Sequence, residues 1–68
     1  MNGAQFVRRA KRYAGKAGKD FRFQPAHGKG SHGRLHIGNR FTTVKRSEIA
    51  PGLLSAMLKQ LGIDRKDF

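Results

Sequence analysis

Between residues 32 and 45, alternating side chains run up to a Gly-Asn pair and away from it again, a pattern that leaves little choice of fold. Successive strand side chains point to opposite sides of a sheet, so Gly33, Leu35 and Ile37 share one face and His32, Arg34 and His36 the other. Gly38 stands first in a two-residue connection, as a type II′ hairpin turn requires. Arg40–Lys45 then returns as a second arm. With so tight a turn, His36 faces Phe41, Arg34 faces Thr43 and His32 faces Lys45. Leu35 meets Thr42 and Gly33 meets Val44 on the core side. In this register Phe41 lies on the outer face among basic side chains; a slip of one residue would turn it into the core.

The flanking segments fit the same sheet. Asp20–Pro25 alternates, with Phe21 and Phe23 on one side and Arg22 and Gln24 on the other, until Pro25 removes a ladder donor. A glycine-rich loop over 26–31 joins it to the hairpin. Residues 3–17 predict an amphipathic helix with Ala4, Phe6, Val7, Ala10, Tyr13, Ala14 and Ala17 in its apolar stripe, ending near Gly18. Ser47–Pro51 connects to a helix over 51–61, with Pro51 in the first turn and Leu53, Leu54, Met57, Leu58 and Leu61 as its core stripe. Gly62 predicts a left-handed cap with Ile63 folding back on Leu58. Asp64–Phe68 reads as a short charged tail whose Phe68 packs loosely or reaches a partner. The expectation is one α+β domain over 1–68, ordered α-β-β-β-α, with both helices on one face of a three-stranded antiparallel sheet. Phe21, Phe23, Leu35, Ile37 and Val44 would join the helices in a single thin core, since a chain this short buries only about 60% of its unfolded surface.

Charge narrows the partner. Fifteen Lys and Arg against four Asp and Glu give a net +11 and a pI near 11.6. So dense a charge points to a polyanion: nucleic acid first, an acidic protein second, an anionic membrane third. Arg8, Arg12 and Lys16 form one i,i+4 row in which like charges repel. That row suits phosphates or an acidic partner, or is simply a solvated face. There is no cysteine, and the three histidines, His27, His32 and His36, could ligate a metal but have no carboxylate close in sequence, so such a site would be weak. No apolar run approaches the roughly 20 residues of a membrane span. Arg8, Arg9, Lys11 and Arg12 interrupt any leader-like stretch, and a soluble cytoplasmic protein is expected.

Lys29-Gly30-Ser31-His32 carries the chemistry. An imidazole at a loop–strand junction among cations can take or give a proton near neutrality. The competing reading is a surface histidine that merely pairs with a neighbour. The same run, followed by an alternating strand, a strand ending Thr42-Thr43-Val44 and a closing Pro51-Gly52-Leu53-Leu54-Ser55-Ala56-Met57-Leu58-Lys59-Gln60-Leu61-Gly62-Ile63 segment, resembles the HicA family, the small mRNA interferases of HicAB toxin–antitoxin modules. The resemblance covers about residues 19 to 63, and the closing segment is its most specific part. Gly33 stands where family members often have a second histidine or a bulky residue, and the family's tryptophan before the first strand is missing.

The resemblance implies a fold like a double-stranded-RNA-binding domain, cleavage of single-stranded mRNA dependent on His32, and neutralisation by an acidic HicB-type antitoxin. On that reading His32 is the general acid or base. Lys29, Arg34 and Lys45 hold the phosphate, the amides of Gly30 and Ser31 add donors, and Phe41 and His36 contact RNA. No metal or other cofactor is needed. His27 is read as a loop residue without a role, and Ser31 as a turn and phosphate contact, since nothing supplies it with a base. The alternative is a small RNA-binding module without chemistry, which the same charge and element order suit equally.

Overall fold

The hairpin forms in the tight register. In the computed structural model, which describes residues 1–25 and 32–68, β2 (His32–Ile37) and β3 (Arg40–Lys45) pair antiparallel. Their partners are His32 with Lys45, Gly33 with Val44, Arg34 with Thr43, Leu35 with Thr42, His36 with Phe41 and Ile37 with Arg40. Gly38 has φ +60°, and among the described residues only glycines have positive φ, so Asn39 completes the sign pattern of a type II′ turn. β1 (Phe21–Gln24) lies antiparallel on the other side of β2, giving the sheet order β1-β2-β3. The Gly38 amide donates to the Asp20 carbonyl at 2.9 Å and ties the turn to the start of β1.

Two helices cover one face of this sheet. α1 (Gly3–Ala17) begins with a capping box in which Asn2 and Gln5 exchange side-chain and backbone hydrogen bonds of 2.8 and 2.9 Å. It buries Phe6, Ala10 and Ala14; Val7 and Tyr13 flank this stripe half-buried, while Ala4 and Ala17 are exposed. α2 (Pro51–Leu61) starts on Pro51 and buries Met57, Leu58 and Leu61. Both helices end on a left-handed glycine, Gly18 and Gly62. The following amides of Lys19 and Ile63 reach back to Ala14 and Leu58 at 2.9 Å each. Leu35, Ile37 and Val44 from the sheet, with Ile49 and Ile63, complete the core. Thr42 is buried there, and its hydroxyl donates to Gln60, so the polar atom is satisfied.

Three details depart from the expected core. Leu53 is 41% exposed. It precedes Leu54 by one residue, about 100° of rotation at 3.6 residues per turn, which carries it off the stripe made by Leu54, Met57, Leu58 and Leu61. Phe21 and Phe23 are only half-buried, because β1 is an edge strand that the helices cover incompletely. The expected tail is folded: Arg65–Asp67 forms a 3-10 turn, and Phe68 stacks on Phe6 with ring centroids 5.0 Å apart. Arg9 fixes it there. Its guanidinium donates to the Phe68 backbone oxygen at 2.6 and 3.1 Å and lies 4.9 Å from the ring centre.

Candidate nucleic-acid interface

With both helices on one face, no described element covers the other face of the sheet, and the two registers assign its side chains to rows. Arg22, His36 and Phe41 make one row across the sheet; Gln24, Arg34 and Thr43 make the next; His32 and Lys45 make the last. Three cations, two imidazoles and one large aromatic therefore share a surface, and no described carboxylate belongs to these rows.

Phe41 is 53% exposed, one of only two large apolar side chains so exposed among the described residues. The Arg34 guanidinium carbon lies 5.1 Å from its ring centre, and the His36 ring is 5.7 Å away at a tilt of 31°. Neighbours on two sides hold the phenyl group in place while part of it remains open to solvent. A fixed ring with attached cations offers a stacking surface for a base and charge for its phosphate.

The two described histidines of this face differ. His32 is exposed at the first position of β2, opposite half-buried Lys45. His36 is half-buried, and its Nε2 has neither solvent nor a hydrogen-bond partner among the described residues. That nitrogen is out of reach of a substrate proton as the surface stands, so His36 serves as a wall for Phe41, and of the two described imidazoles His32 is the exposed one. Along the sheet, His32 and the Phe41 row are four residues apart, about 13 Å at roughly 3.3 Å per residue. A single strand laid along β2 would meet both.

Gly33, next to His32, lies on the covered face. A Cβ there would come within 2.8 Å of the Phe23 ring and of the Gln24 carbonyl. A bulky residue after His32 is therefore incompatible with the way Phe23 packs. No protein-family model, curated protein or solved structure matches the chain.

Of the expected site residues, the face brings together His32, Arg34, His36, Phe41 and Lys45. Lys29, Gly30 and Ser31, with His27, lie outside the described residues. Arg22 and Gln24 belong to the same surface and were not among the expected site residues. The signal for them was present, since antiparallel pairing of β1 with β2 puts the outward residues of one strand opposite those of the other. Among the described residues no cluster of His, Cys, Asp or Glu is placed to hold a metal ion, and no helix is long and apolar enough to cross a membrane.

Proposed function

We propose that the protein is a metal-independent endoribonuclease that cuts single-stranded RNA on the open face of its sheet. The observation that carries this is the exposed imidazole of His32 on the same surface as Arg34, Lys45 and Phe41. RNA brings its own nucleophile. Its 2′-hydroxyl attacks the adjacent phosphorus, the bond to the 5′-oxygen breaks, and the products are a 2′,3′-cyclic phosphate and a 5′-hydroxyl. The catalyst has to move a proton at one of those two oxygens and stabilise charge on the phosphate. His32 does the first, an effect typically worth about 10²- to 10⁴-fold. Arg34 and Lys45 do the second through charge-assisted hydrogen bonds. Phe41 holds a base by stacking, with His36 as its support.

The likeness of Lys29-Gly30-Ser31-His32 and of the 51–63 segment to HicA sequences supports the same reading. It extends the proposal to a cytoplasmic toxin of a toxin–antitoxin module, neutralised by an acidic HicB-type antitoxin that covers this face. A single described imidazole within reach fits slow turnover, which a growth-arresting toxin tolerates. The test is incubation of wild-type protein and His32→Ala with a labelled single-stranded RNA in EDTA. Wild type is expected to fragment the RNA, and the variant to bind it intact. Equal fragmentation by both would remove His32 from the mechanism, and a band shift without fragmentation by wild type would leave a binding module.

A further inference from the structure

The sheet face leaves a row of cations on α1 unused. On α1 the side chains of Arg8, Arg12 and Lys16 are exposed and stand four residues apart in one row, with Gln5 on the same side. All four carboxylates of the chain, Asp20, Glu48, Asp64 and Asp67, are among the described residues. Among the described residues the one ion pair they form is between Glu48 and the Met1 amino group; Asp67 borders Arg12 and Lys16 without forming an ion pair with them. Arg9, the next cation along, is committed to Phe68. Because α1 lies on the covered side of the sheet, its outer surface looks away from His32 and Phe41.

We infer that the outer face of α1 is a second RNA-binding surface, which grips the phosphate backbone of a paired segment without reading its sequence. Two features decide this against a protein partner. Stable protein interfaces are centred on buried apolar or aromatic anchors, and the exposed large apolar residues, Phe41 and Leu53, both lie elsewhere. Phosphate contacts need no such anchor, only cations that displace counterions. The row spans about 12 Å of helix axis at 1.5 Å per residue, long enough to meet several phosphates of one strand of a duplex. Tyr13 and Phe68 border the row but are half-buried, with Lys19 and Arg9 over their rings, whereas Phe41 is exposed on the sheet, and this separates the ligands: unstacked bases on one side of the molecule, backbone alone on the other. A structured RNA held at α1 would raise the local concentration of its own single-stranded parts at the sheet.

Duplex binding through α1 does not depend on cleavage. A blunt RNA duplex offers no unstacked base, and binding is measured against salt in a His32→Ala background. Replacing three phosphate contacts at about 0.9 each should lower the slope of log affinity on log salt by about 2.7 in the Arg8→Gln, Arg12→Gln, Lys16→Gln triple variant. Arg8→Gln alone should lower it by about 0.9. In an otherwise wild-type chain the triple variant should still cut a short single-stranded oligonucleotide at the unaltered rate. An unchanged salt slope for duplex binding overturns the inference. So does binding of phosphatidylserine vesicles that depends on the row while duplex binding does not.

Discussion

On the open face of the sheet, Arg22, Arg34 and Lys45 share their surface with a half-exposed phenylalanine and two histidines; on α1, Arg8, Arg12 and Lys16 form an exposed row whose neighbouring aromatics, Tyr13 and Phe68, are half-buried. Both faces carry a surplus of cations. Charge alone sets affinity and its salt dependence, whereas an aromatic held in place and an imidazole at a strand end add orientation and proton transfer. The difference comes from local structure. An extended strand places alternate residues on one surface, so a hairpin juxtaposes unlike groups from two segments. A helix row repeats whatever its own segment supplies every fourth residue.

The largest effect should come from removing the group that only the sheet face has. His32→Ala is expected to slow RNA cleavage by about 10²- to 10⁴-fold while leaving the thermal unfolding midpoint unchanged, since the side chain is exposed. A control on the covered side comes next. Leu61→Ala, at a residue 1% exposed, should destabilise the fold by about 2–5 kcal/mol in urea unfolding and affect both faces together. Phe41→Ala sharpens the comparison further. Single-stranded RNA should bind more weakly by about 1–3 kcal/mol, with duplex affinity unchanged, as read by fluorescence anisotropy on the two ligands. The smallest effect is on stability in the α1 triple glutamine variant. Its unfolding free energy should stay within about 0.5 kcal/mol of wild type, on the stabilising side because repulsion within the row is relieved.

Much of the fold was legible in the residues. The Gly38-Asn39 pair set the hairpin register, and that register decided which way Phe41 faces. Glycines 18 and 62 and Pro51 set the helix ends as expected. What escaped were contacts between segments distant in the chain. Ile49 is buried in a connector without periodicity, its amide bonded to the Met1 carbonyl. Phe68 docks on Phe6 across the whole length of the sequence, and no local pattern announces that pairing. Leu53 was misread because an unbroken Leu-Leu pair does not say which member faces the sheet. At the site, alternation identified His32, Arg34 and His36 as outward residues. It could not separate an exposed imidazole from one whose Nε2 is enclosed, which depends on how Phe41 and its neighbours pack.

The chemistry of the cut ends tests the central claim most directly. With wild-type protein, a single-stranded RNA and excess EDTA, fragments should carry 2′,3′-cyclic phosphate and 5′-hydroxyl ends, and a 2′-O-methylated copy of the same RNA should survive. Fragments with 5′-phosphate ends, cleavage of the methylated strand, or RNA left whole would contradict the assignment of proton transfer to His32 on the open sheet.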